Sequence, residues 1–134
     1  MDTIRQKLRV ELYIVLCYLI LLFIFNNLAV KFSWFWTYKW LDIPFHFVGG
    51  GFISWLGFII IAIYRKNTYI PWILALVIPF GLGFIWEVIE FYGKSAVLIP
   101  EYRLDVAKDL LMNMVGGLSV YILWDKVVQG KLGF

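Results

Sequence analysis

Four long apolar runs divide the chain, at roughly 10–30, 43–64, 70–92 and 104–124, with short polar stretches between them. Each is close to the ~20 residues that an α-helix needs to cross the hydrocarbon core of a bilayer. The pattern predicts an all-α fold: a polytopic membrane protein of four transmembrane helices in a compact bundle, one integral membrane domain over residues 1–134.

The first run follows a basic start, Arg5, Lys7 and Arg9, and carries no charge from 12 to 25. It is longer than a signal-peptide core and lacks a small-residue cleavage site, so it reads as a retained helix. Asn26 and Asn27 near its end read as interfacial, with one of the two able to face a polar site. Residues 31–41 interleave Trp, Tyr and Phe with lysine, the composition of a membrane–water interface, and predict a loop or short helix on the surface. The second run opens with Asp42 and Pro44, a capping side chain followed by a first-turn proline. Gly49, Gly50, Gly51 and Gly57 permit close helix approach, and Arg65, Lys66 and Asn67 end the run. The third has Pro71 at its start and Pro79, Gly81 and Gly83 in its middle, where a proline favours a kink. A polar loop over 93–104 leads to the fourth run. Its first half is polar and its second half apolar, beginning with Gly116 and Gly117.

Composition agrees with this reading. At 63% hydrophobic and 16% charged, the chain is too apolar for a soluble domain of 134 residues. Its net charge of +3 comes from short loops between spans, so topology explains it without nucleic acid. The single cysteine, Cys17, lies in an apolar run; it excludes an intrachain disulfide and reads as packing. With four spans both termini share a side. Arg5, Lys7, Arg9, Arg65, Lys66, Lys126 and Lys131 then face Lys31, Lys39, Lys94 and Arg103 across the bilayer. The positive-inside rule puts the larger group, and both termini, in the cytoplasm of a multi-pass cell-membrane protein.

Alternating helix direction now collects the polar residues in one leaflet, the outer one in this orientation. Asp42 and His46 open the second helix, Glu87 and Glu90 close the third, and Asp105, Asp109 and Asn113 open the fourth. Gly83, Glu87 and Glu90 share one helical face, as do Asp42, His46, Gly49 or Gly50, and Ile53; so do Asp105, Asp109, Asn113 and Gly116. Asp42 and Asp105 also suit simple helix starts, Glu90 suits a solvated interface, and Lys108 suits either a pair with Asp105 or snorkelling. Glu87, Asp109 and Asn113 lie deeper than a terminal turn, where membrane carboxylates mark sites. Carboxylates crowded in low dielectric need protons, basic partners or a metal. The candidate metal ligands are Asp42, His46, Glu87, Glu90, Asp105, Asp109 and Asn113, a set suited to a divalent cation such as Mg²⁺, Mn²⁺ or Zn²⁺. His46, Glu87 and Asp109 are the candidate catalytic groups. No His-Glu-x-x-His motif occurs, and Ser54, Ser95 and Ser119 lack a nucleophile motif.

These residues carry a resemblance. Asp42-x-x-x-His46, then Trp86-Glu87-x-x-Glu90, then Asp105-x-x-x-Asp109-x-x-x-Asn113-x-x-Gly116 resemble the VanZ-like and YjdF-like bacterial membrane proteins over roughly the C-terminal two-thirds of the chain. Glu90 stands where the VanZ pattern commonly has Gln, which favours the YjdF-like side. The resemblance implies a polytopic membrane protein with a polar core.

The leading expectation is a membrane enzyme or binding protein, with a metal in its polar site, acting on a lipid-linked or amphiphilic envelope substrate. The alternatives are a small proton- or cation-coupled transporter and a non-catalytic membrane partner whose polar cluster holds the bundle together. Four helices are few for a transporter, so that alternative carries a homo-oligomer with it.

Overall fold

A computed structural model of the 134-residue chain describes residues 2–66, 68–93 and 102–128. Asn67, most of the polar loop expected over 93–104, and the tail from Gln129 lie outside the described residues. The elements run α1 (Asp2–Lys31), α2 (Trp34–Thr37), a 3₁₀ turn (Lys39–Leu41), α3 (Asp42–Arg65), α4 (Leu74–Tyr92) and α5 (Tyr102–Val128). All the α-helices but α2 are long and apolar enough to cross a membrane, and the described residues contain no strand. The expected all-α membrane bundle is the fold observed.

α3 is the central element. It packs against α1, α4 and α5, and its contact with α5 is the most extensive in the molecule. Glycines explain the closeness. A Cβ on Gly50 would run into the Asn113 backbone, and one on Gly116 would meet the Phe47 carbonyl oxygen. The two backbones therefore touch, the small-residue packing that draws helices together where lipid removes any hydrophobic drive.

Inside the bundle, the half away from the polar residues is a core of Phe58, Ile59, Ala62, Ile70, Ala75 and Trp124, closed by Leu8 and Val15 of α1. Ile20, Leu21, Phe80, Leu111 and Ile122 point outward, as a lipid-facing surface requires. The Trp124 indole donates to the Thr68 carbonyl at 3.0 Å and ties α5 to the segment before α4. The Trp55 indole donates to Glu11 at 3.3 Å and gives that carboxylate of α1 a partner.

The structure corrects two expectations about helix starts. Asp42 does not cap α3. The 3₁₀ turn feeds directly into the helix, Leu41 holds the capping position with helical backbone angles, and no side chain caps it. Asp42 is already helical, and its carboxylate turns to His46 one turn on. Pro71 is not in the first turn of the third long helix. α4 begins at Leu74, and the backbone before it makes turn bonds from Leu74 to Pro71 and from Ala75 to Trp72. Pro79 lies inside α4, which continues through it. It cannot donate to the Ala75 carbonyl, and the backbone of Gly117 closes onto that oxygen instead. The aromatic stretch after α1 reverses at Ser33, with φ of 57°. It then lies over the end of the bundle through Phe25–Trp34 and Phe35–Phe45 ring contacts.

Candidate membrane-embedded acidic–histidine centre

His46 is the hub. Its imidazole, 5% exposed, sits at the start of α3 with one nitrogen facing three carboxylates. Nε2 lies 3.4 Å from Asp42 Oδ1, 3.8 Å from Glu87 Oε1 and 3.9 Å from Asp109 Oδ2. Three helices supply these groups: α3 brings Asp42 and His46, α4 brings Glu87, and α5 brings Asp109. Asp42 reaches His46 because residues four apart on a helix share a face. Glu87 and Asp109 reach it because α4 and α5 both pack against α3 at this depth.

The other nitrogen, Nδ1, lies 3.4 Å from Asn113 Nδ2. Asn113 is held by glycines on two sides. Its backbone rests on Gly50 of α3, and its amide lies so near Gly83 of α4 that a Cβ there would be 2.5 Å from Nδ2. The polar residue and the glycines that share its stripe are thus parts of one contact. In this orientation the amide donates to Nδ1, which leaves the ring proton on Nε2, among the carboxylates. Turned over, the amide would accept from Nδ1–H and leave the Nε2 lone pair for a cation.

Lys108 is the cationic partner on the solvent side. Its ammonium donates to Asp105 at 2.6 Å and lies 3.7 Å from Asp109 Oδ1 and 3.8 Å from Asp42 Oδ2. Buried charge is tolerated only with partners, and here one ammonium and one imidazole serve four carboxylates. Asp109, 2% exposed, shows the shortfall: its Oδ1 makes no hydrogen bond among the described residues.

Asp42, His46 and Asp109 each offer a ligand atom within 4.8 Å of the other two. Two ligands on one Zn²⁺ or Mg²⁺, each about 2.1 Å from the ion, stand at most about 4.2 Å apart. The observed His46–Asp42 and His46–Asp109 distances already fall inside that limit. One imidazole and two carboxylates also suit the donor preferences of such an ion. In donor type and in the two distances from His46 the residues suit a divalent cation, with all three ligand atoms within 4.8 Å of one another.

Of the residues singled out in the sequence, Asp42, His46, Glu87, Asp109 and Asn113 converge. Asp105 joins through Lys108 rather than through His46. Glu90 is half-buried one turn beyond Glu87, and no basic side chain comes within ion-pair distance of it among the described residues. Asn113 contacts the imidazole edge opposite the carboxylates and orients the ring.

Two features were not foreseen. Lys108 bridges three aspartates, of which only the Asp105 pair was visible as an i, i+3 spacing. The second is a cavity of about 300 Å³ between α1 and α4, floored by α3, with Asn26, His46 and Asn113 among otherwise apolar walls. The spacing of α1 contained a signal for it. Leu8, Leu12, Val15, Leu19, Leu22, Asn26 and Ala29 alternate steps of four and three, which marks one helix face. That face is the buried one, so Asn26 turns inward while Asn27 turns out and donates to Phe23 O of its own helix.

No curated protein and no solved structure matches the sequence. Over residues 2–130, however, the chain matches the family described as Predicted membrane protein (DUF2238), and it belongs to that family.

Proposed function

We propose that the acidic–histidine centre is a divalent-cation site through which this membrane protein binds and acts on the head group of a lipid-linked or amphiphilic envelope substrate. The observation that carries this reading is the approach of Asp42, His46 and Asp109 ligand atoms to within 4.8 Å of one another, from two helices, with His46 and Asp109 buried and Asp42 half-buried. A bound divalent ion would offset crowded negative charge and supply a Lewis acid for a phosphate or carbonyl oxygen. The imidazole favours Zn²⁺ or Mn²⁺ over Mg²⁺. Asp42, His46 and Asp109 are the ligands in this reading. Asn113 fixes the imidazole from behind, and Glu87 is the carboxylate left to accept a proton from the substrate or from water. Lys108 lies at the rim, where it can pair with an anionic head group. The motifs by which the sequence resembles VanZ-like and YjdF-like proteins run through these same residues, which is in keeping with a polar core being the working part of the protein. The excess of basic residues at the opposite end supports cytoplasmic termini in the cell membrane, with the centre in the outer leaflet.

Elemental analysis of protein purified without chelator tests the reading. The expected result is one divalent ion per chain, lost in His46→Ala and Asp109→Asn variants. No stoichiometric metal, together with a melting temperature insensitive to divalent ions, would sink it.

A second reading has one observation in its favour. As oriented, the Asn113 amide leaves the His46 proton on Nε2 among the carboxylates, an arrangement suited to passing protons in a proton-coupled transporter. That reading expects no bound metal, and proton movement across proteoliposomes that Glu87→Gln abolishes.

A further inference from the structure

The cavity beside the centre has largely apolar walls that carry two buried polar atoms with no hydrogen-bond partner among the described residues, Asn26 Oδ1 and the Trp86 indole Nε1. Asn26 is 8% exposed, and its Oδ1 is buried without a hydrogen-bond partner among the described residues. Leaving a buried acceptor unpaired costs the desolvation of that group. The surrounding structure shows what would relieve it. Leu19, Ile53 and Leu82 line the cavity towards the bilayer centre, while Asn26 and His46 line it towards the interface. This is the polarity of a lipid in a leaflet, with the polar end outward and the chain inward. The volume lies at the lower end of the range for small-molecule pockets. The walls carry no carboxylate or ammonium; Asn26 presents an acceptor and the Trp86 indole a donor, so an uncharged hydroxyl, which donates and accepts, suits them better than a charged group.

We infer that this cavity is a binding site for one hydrocarbon chain of a leaflet lipid, and that Asn26 Oδ1 accepts a hydrogen bond from an uncharged hydroxyl at the head of that chain. The inference deepens the proposed function and rests on it only in identifying this lipid with the substrate. A chain so placed holds its head group beside His46, on the imidazole edge that Asn113 contacts. Gly49 completes the site. A Cβ at Gly49 would meet nothing within 4 Å, in contrast to neighbouring Gly50, whose Cβ would strike the Asn113 backbone. Gly50 serves helix packing, whereas the bare backbone at Gly49 leaves the cavity open.

The test uses the full-length protein in phosphatidylcholine nanodiscs and a long-chain alcohol with a diazirine in mid-chain, photolysed and mapped by mass spectrometry. Adducts are expected at the half-buried Leu19 and Ile53 in preference to the lipid-facing Leu21 and Ile122. The methyl ether of the same probe, which cannot donate, should label the cavity roughly three- to tenfold less, the worth of one hydrogen bond. Asn26→Leu should make alcohol and ether equal. Gly49→Leu should fill the cavity and remove its adducts while the melting temperature is held or raised. Labelling no more frequent in the cavity than at Leu21 and Ile122, or equal labelling by alcohol and ether in the wild type, overturns the inference. Repeating the experiment in EDTA and with Asp109→Asn separates the two ideas: cavity labelling that persists there stands whatever becomes of the metal.

Discussion

At the scale of single residues, His46 and Lys108 divide the work of countering charge unequally. His46 is buried and faces Asp42, Glu87 and Asp109 at 3.4 to 3.9 Å. Lys108 is over a third exposed and shares Asp42 and Asp109 with it. Substitutions on the two sides of this balance therefore have opposite signs. Glu87→Gln and Asp109→Asn each remove a buried negative charge at nearly constant shape, and the melting temperature in detergent should hold or rise, as it does when a site's stored strain is released. Lys108→Met removes the rim cation and should lower stability by up to about 1 kcal/mol, a value kept small by solvent at the ammonium. A large loss of folded protein in both carboxylate variants would show instead that the cluster holds the bundle together. Most of the centre was legible at this scale, because an ionisable side chain more than a turn inside an apolar run has few reasons to be there. Two residues were harder to read. Asn26 adjoins another asparagine, and only the helical phase tells them apart. Asp42 suits a cap in any sequence, and only the 3₁₀ turn before it shows that the cap is not used.

At the scale of elements, the glycines sort into two kinds that sequence spacing alone does not separate. Gly50 and Gly116 are where the α3 and α5 backbones meet, and Gly83 makes room for the Asn113 amide. Gly49 and Gly81 face open space. Gly116→Ala would place a methyl group on the Phe47 carbonyl and push the two helices apart, with a cost of about 1–3 kcal/mol for an overpacked contact. Gly49→Ala should instead stabilise α3 by roughly 0.5–1 kcal/mol, the helix preference for alanine over glycine. Gly83→Ala belongs with the first kind, but its damage falls on the centre: it displaces Asn113 and with it the hold on the imidazole. Thermal melts of the three variants, with metal content measured alongside, distinguish these outcomes. Equal effects at Gly49 and Gly116 would contradict the assignment. Helix existence was legible from the apolar runs, while helix ends were not. α1 and α5 extend beyond their apolar runs, and α4 begins after Pro71, because backbone hydrogen bonding sets the ends and hydrophobicity does not.

At the scale of the whole molecule, the polar side chains gather at one end of the bundle and the close-packed apolar core at the other. Antiparallel neighbours produce this arrangement whenever polar residues alternate between the beginning and the end of successive spans. The order of apolar runs and the places of Asp42, Glu87 and Asp109 within them were therefore enough to show it. Which face of the membrane the polar end occupies is a separate matter, set by the basic residues. Single cysteines at Lys39 and at Arg65, in a background lacking Cys17, should respond differently to an impermeant thiol reagent in intact cells, with labelling at 39 and none at 65. The reverse pattern would invert the molecule and move the centre to the cytoplasmic leaflet without dispersing it.

The dependence of the centre on α5 has a consequence for synthesis. The chain leaves the ribosome from its N-terminus, so α3 and α4 enter the membrane before Asp109, Asn113 and Lys108 exist. During that interval Asp42, His46 and Glu87 have one another but not the Asp109 carboxylate, the Asn113 amide or the Lys108 ammonium, and ionisable groups within a membrane span are costly without their full set of partners. The last helix to arrive is also the one whose glycines let it seat against α3. Arrival of α5 and the full countering of these charges are therefore one event.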